Sequence, residues 1–158
     1  FAAVKSDYHL FTQALLEGDV EAMNTYMNRV SESVFSSFDT GRKTSERSEP
    51  ERFYHGFVLE LLVDLNERYI LTSNRESGYG RYDVQLETRK ETDDAILLEF
   101  KVRNAKTEES LEKTVENALA QMERRDYAAG LRQKGIPEAR IRKYGFAFEG
   151  KTVLIGQA

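Results

Sequence analysis

An acid and a base close an otherwise apolar run: Ala95-Ile-Leu-Leu-Glu-Phe-Lys-Val102 carries Glu99 and Lys101 one residue apart. In a strand, alternation sends Ile96, Leu98, Phe100 and Val102 to one face and Ala95, Leu97, Glu99 and Lys101 to the other. The preceding alternating run, Arg81 to Thr88, holds Tyr82, Val84 and Leu86 on one face and Asp83, Gln85 and Glu87 on the opposite one. Pairing the two runs as a hairpin, with both apolar sets on the same side, also places their charged sets together. The two registers that suit the Lys90-Glu-Thr-Asp93 turn set Asp83 directly across from Glu99 or from Lys101, with Cβ atoms about 5 Å apart.

Two partly buried carboxylates at that spacing repel one another and resist ionisation unless a cation sits between them. A divalent ion with a preference for hard oxygen ligands, Mg²⁺ or Mn²⁺, fits the pair. On a phosphodiester such an ion lowers the pKa of an attacking water and stabilises charge developing at phosphorus. Lys101, on the same face, could orient the water or neutralise the transition state. The spacing is equally compatible with an ordinary acid–lysine pair at a strand end, worth about 1 kcal/mol if exposed.

A second pattern invites a different chemistry and fails on context. Gly145-Phe-Ala-Phe-Glu-Gly150-Lys151-Thr152 satisfies the G-x-x-x-x-G-K-T of a phosphate-cradling loop. Such a loop must lead into a helix whose N-terminal amides hold the phosphates. Here Phe-Ala-Phe reads as a strand, Glu149-Gly150 as a hairpin turn, and Val153-Leu-Ile-Gly156 as the return strand.

The elements that must position Asp83, Glu99 and Lys101 follow from periodicity. Val4 to Glu17 is apolar at helical spacing, Gly18 suits a stop, and Asp19 suits the cap of a second helix running to about Ser37. Residues 38–50 have loop composition. Glu51 to Arg68 places Phe53, Phe57, Leu61 and Leu65 on one helical stripe. Tyr69 to Ser73 is a short strand, and Thr107 to about Lys134 reads as one long helix with Leu111, Val115, Ala118 and Met122 on its apolar face. Two short strands close the chain. The order is α-α-α-β-β-β-α-β-β, with a helical linker or extension over 1–49 and an α/β domain over 50–158.

Composition excludes several classes. The chain has 158 residues and no apolar run near the roughly 20 residues of a membrane span. Zero cysteines exclude disulfides and a thiolate zinc site, and they suit a cytoplasmic protein. A first residue that is not Met suggests a chain cut from something larger or processed. The net charge of −4 argues against a surface wholly devoted to phosphate. Residues 124–143 hold seven cations against Asp126 and Glu138, a run that reads as a solvated helix face before it reads as a binding patch.

Asp83, followed after a hairpin by Glu99-Phe100-Lys101, resembles the PD-(D/E)XK nuclease superfamily, as does the element order over residues 50–156. Phe53-Tyr-His-Gly-Phe57, the stretch from Ser73 to Asp83, and Ala118-Leu-Ala-Gln121 through Tyr127 are similar to a RecB-like branch found C-terminal to AAA-ATPase-like domains in bacteria. The resemblance implies a restriction-endonuclease-like core, a mixed β-sheet flanked by helices in the order α-β-β-β-α-β. It also implies a metal site of His55, Asp83, Glu99 and the Phe100 carbonyl, with one or two Mg²⁺ or Mn²⁺ ions. An imidazole beside two carboxylates shifts the preference toward Mn²⁺. Glu60 or Asp64 are lower-ranked acids on the flank of the same helix. Gln121 and Tyr127 occupy the place of a supporting glutamine and tyrosine. On a regular helix, however, Tyr127 falls nearly opposite the apolar stripe. Arg81, with Arg75 and the glycines of Gly78-Tyr-Gly80, either contacts phosphate or forms a solvated turn.

The sequence thus predicts a metal-dependent nuclease, acting on nucleic acid and most readily DNA, next to an upstream ATPase-like domain. Its competitor is a catalytically silent module of the same fold that binds nucleic acid or protein.

Overall fold

The computed structural model describes residues 8–38, 56, 59–60, 62–63, 65–76 and 81–158. Helix α1 (Tyr8–Glu17) and helix α2 (Val20–Phe38) precede strands β1 (Tyr69–Glu76), β2 (Arg81–Thr88) and β3 (Ala95–Val102). Helix α3 (Leu111–Arg124), the short helix α4 (Ala129–Gln133), and strands β4 (Ile141–Glu149) and β5 (Thr152–Gln157) complete the chain. The five strands form one mixed sheet in the order β1-β2-β3-β4-β5. β1, β2 and β3 are antiparallel neighbours, β3 and β4 are parallel, and β4 and β5 form a hairpin. A parallel pair needs a crossover, and the segment carrying α3 and α4 supplies it. The result is an α/β fold consistent with a restriction-endonuclease-like core.

β3 is central and buried from Ala95 through Lys101. Ile96, Leu98 and Phe100 join Val84, Leu86, Tyr144, Phe146 and Phe148 in the larger apolar core, with Phe100 and Phe148 stacked at 5.9 Å. The N-terminal helices share this core through Phe11, Leu15, Met23, Met27 and Val30, and Tyr144 Oη donates to the Leu15 carbonyl at 2.8 Å. Asp19 caps α2 as its position predicts, accepting from the Ala22 amide.

α2 also closes the outer edge of β5. Asn24 Nδ2 donates to the Ile155 carbonyl while its Oδ1 accepts from the Ile155 amide, and Asn28 does the same with Val153, all four distances lying between 2.8 and 3.0 Å. Asparagines four apart on a helix present amides at nearly the spacing of alternate strand residues. They thereby satisfy a sheet edge that would otherwise offer free backbone groups.

On the opposite face α3 lies against β4 and β5. Glycine permits a close approach at two points there: a Cβ on Gly145 would crowd the Val115 carbonyl at 3.1 Å, and one on Gly156 would meet Val115 Cγ1 at 2.5 Å. Gly145, the first glycine of the phosphate-loop pattern, therefore serves helix packing. Gly150, at φ +55°, is the β4–β5 turn.

The long helix expected over 107–134 is two helices. Ser110 caps α3, its Oγ accepting from the Lys113 amide. α3 ends in a Schellman motif, in which the Tyr127 amide bonds to the Met122 carbonyl and the Asp126 amide to the Glu123 carbonyl. Asp126 takes the left-handed position at φ +50°. Aspartate tolerates that conformation better than most residues do, so the helix stops without the glycine that would mark the stop in sequence.

Candidate active site

The register settles which residue faces Asp83: Asp83 pairs with Glu99 and Arg81 with Lys101. The pairing is fixed by Val84 against Leu98 and Leu86 against Ile96 on the other face, because a one-residue slip would expose the apolar set. Glu99 is only 2% exposed, whereas Asp83 is half-buried. The Oε2 atom of Glu99 is buried and accepts no hydrogen bond from the described residues. A site with two carboxylates, one of them deep, and an open side at Asp83 is suited to a hard cation.

The turn at Asp126 swings Tyr127 back toward the sheet. Tyr127 lines a cavity of about 70 Å³ with Asp83, Gln85, Leu97 and Leu98, correcting the outward direction expected from an unbroken helix. Burial pushes the Tyr127 phenol up, and the negative charges of Glu99 and Asp83 add to this. A hydrogen bond with the Gln121 side chain acts in the opposite direction. Gln121 is itself buried on α3. The structure therefore sets Asp83 and Tyr127 in one cavity, with Glu99 paired across from Asp83 and Gln121 bonded to Tyr127.

Lys101 lies on the same face as Glu99, and its ammonium is bonded to Glu108. Glu108 was not legible as a site residue, since it reads as one acid among several before a helix. It is 1% exposed, and its Oε1 accepts from the Asn104 amide at 2.8 Å while Oε2 accepts from Asn117 Nδ2 at 2.7 Å as well as from Lys101. Burial alone would raise its pKa, but those three donors outweigh it and hold the carboxyl below the ordinary range. The signal that points to Glu108 is Lys101 itself, because a lysine on a buried strand needs a buried partner.

Of the remaining expected residues, His55 and Asp64 lie outside the described residues, as do the glycines of the loop before β2. Glu60 is exposed on a helical turn whose Leu62 joins the larger core. Phe100 is fully buried in that core, leaving its backbone as the part that borders Glu99. Among the described residues no group of three or more His, Cys, Asp or Glu side chains is set to hold a metal.

In the basic run, Arg132 pairs with Asp126 and Glu138, Lys134 with Glu87, Arg140 and Arg142 with Asp94, and Lys143 with Glu123 and Glu138. Most cations of the run thus have acidic partners on the surface, as on a solvated face. Among the described residues no helix is long and apolar enough to cross a membrane.

Comparison with curated proteins and with solved structures returns no significant match. A family model of the PD-(D/E)XK nuclease superfamily matches residues 49–158, a span holding all five strands, α3, and each of Asp83, Glu99 and Lys101. The chain belongs to the PD-(D/E)XK nuclease superfamily.

Proposed function

We propose that this chain is an active, divalent-metal-dependent nuclease that hydrolyses phosphodiester bonds in nucleic acid, DNA before RNA. The observation that carries the reading is the direct pairing of Asp83 with Glu99 in a register fixed by the core behind it. Asp83, Glu99 and the Phe100 carbonyl would hold Mg²⁺ or Mn²⁺, with His55 as a further ligand. When bound, the ion supplies a lowered pKa for water and a positive charge beside the phosphate.

The chain's own residues do the rest. Glu99 is immobilised by burial and presents its carboxylate without reorganisation, which is where electrostatic catalysis gains most. Asp83, on the more open strand, faces the side from which a nucleic-acid backbone can approach. Lys101 brings a cation to the same face, two residues beyond Glu99, to neutralise charge on the phosphoryl oxygens. Tyr127 and Gln121 form the wall beside the carboxylates, where the phenol O–H and amide N–H can donate to phosphate or water. Placement of the chain in the RecB-like branch, beside an ATPase-like domain, rests on the sequence around His55, Gln121 and Tyr127.

The test is incubation of the purified chain with linear, circular, single-stranded and branched DNA, and with RNA, in Mg²⁺ or Mn²⁺. Metal-dependent cleavage that disappears in Asp83→Ala supports the reading. Cleavage unaffected by Asp83→Ala and Lys101→Ala contradicts it, and binding without cleavage favours the silent module.

A further inference from the structure

Lys101 does not stand alone on the face it shares with Glu99. Its side chain is 9% exposed and ends on a Glu108 carboxylate that is 0% exposed. That carboxylate is fixed from three directions: the Asn104 amide holds Oε1, while Asn117 and Lys101 share Oε2. The backbone around it is fixed as well. The Glu108 amide donates to the Asn104 carbonyl at 2.8 Å, and Arg103 Nε donates to the Glu108 carbonyl at 3.1 Å. Arg103 in turn pairs with Glu149 at the end of β4.

A buried acid–lysine pair is a poor stabilising device, because desolvation cancels much of the attraction and apolar residues of similar volume often do as well. A lysine side chain is, however, a flexible four-carbon stem with three donors. Anchoring one donor on an immobile carboxylate fixes where the other two point. Asn117 lies on α3 one turn before Gln121, so the helix that walls the carboxylate pocket also holds the anchor of Lys101.

We propose that Glu108, held by Asn104 and Asn117, is a positioning residue that sets the direction of Lys101 toward the phosphate at the Asp83–Glu99 pair. The inference rests on the nuclease reading above. Glu108 touches neither metal nor substrate and acts through Lys101.

The test uses the full chain and a DNA that the wild type cleaves, with kcat and KM measured for Glu108→Gln, Lys101→Met and the double variant. A misdirected Lys101 should lower kcat by about 10²-fold with KM unchanged in Glu108→Gln. In the Lys101→Met background the same change should cost nothing further. The double variant leaves no lone buried charge, which guards against loss of fold, and Asn117→Ala should give a smaller kcat loss. Equal, multiplying losses in the two backgrounds would overturn the inference, as would an effect confined to KM.

A second readout does not depend on turnover. ¹⁵N spectra of the lysine ammonium groups should show one slowly exchanging signal that is absent in Lys101→Met and lost or broadened in Glu108→Gln. Absence of that signal in the wild type would overturn the anchoring. If the signal is present but the wild type cleaves no nucleic acid with either metal, the nuclease reading fails and the positioning role falls with it.

Discussion

The two faces of β3 are built from the same eight residues and follow opposite rules. Ile96, Leu98 and Phe100 point into a core shared by four other strands and the N-terminal helices, with no charged member. Ala95 and Leu97, on the other side, continue as apolar packing beneath α3 and α4, and then the same face turns to Glu99 and Lys101, both buried. One face carries the free energy of folding and the other spends some of it by burying charge. The comparison teaches that the apolar face is what makes the charged face possible. The register that sets Asp83 against Glu99 is held by Val84 on Leu98 and Leu86 on Ile96, and nothing in the carboxylates themselves would choose it.

Substitutions on the two faces should therefore separate activity from stability. Glu99→Gln or Asp83→Asn should lower cleavage by about 10³-fold, while stability without metal is unchanged or higher because two like charges no longer face one another. Initial rates and urea midpoints on the same samples read both quantities. Phe100→Ala should do the reverse in kind, removing about 3–5 kcal/mol of stability in urea and costing activity only through the unfolded fraction. Asn24→Ala and Asn28→Ala should each cost about 1–3 kcal/mol, by leaving amide and carbonyl groups of β5 without partners, and should leave kcat of the folded protein alone.

Acid should sharpen the contrast further. Glu108 has a folded pKa below its ordinary 4.5, so its contribution to stability is fully present above that value. It is lost as pH falls through the lower, folded pKa. The gap in urea midpoint between wild type and Glu108→Gln should accordingly narrow below about pH 4.5. Arg132→Ala, which removes exposed pairs to Asp126 and Glu138, should have the smallest effect, leaving the urea midpoint indistinguishable from wild type.

Much of this was legible in the chain. Period-two alternation in Arg81 to Thr88 and Ala95 to Val102 gave both strands and narrowed the partner of Asp83 to Glu99 or Lys101; the observed register chose Glu99. The five strands were legible from alternation, and the dismissal of the G-x-x-x-x-G-K-T pattern followed from what must come after Lys151; the helix expected over 51–68 falls largely outside the described residues. Two features were not legible, for different physical reasons. The end of α3 is marked by an aspartate in a left-handed conformation, and Asp126 sits in a run of residues that a helix accepts. With the break unseen, Tyr127 pointed away from the pocket it lines. Glu108 was hidden because the demand it answers, a partner for a buried Lys101, arises only once the burial of β3 is known.

Calorimetric titration of the full chain with Mn²⁺ tests the central claim most directly, since it reads the Asp83–Glu99 pair without needing the right substrate. The account predicts saturable binding in the wild type that is abolished in Glu99→Gln and in Asp83→Asn, with the fold retained in each. Saturable binding that survives both substitutions, or no binding by the wild type, would contradict it.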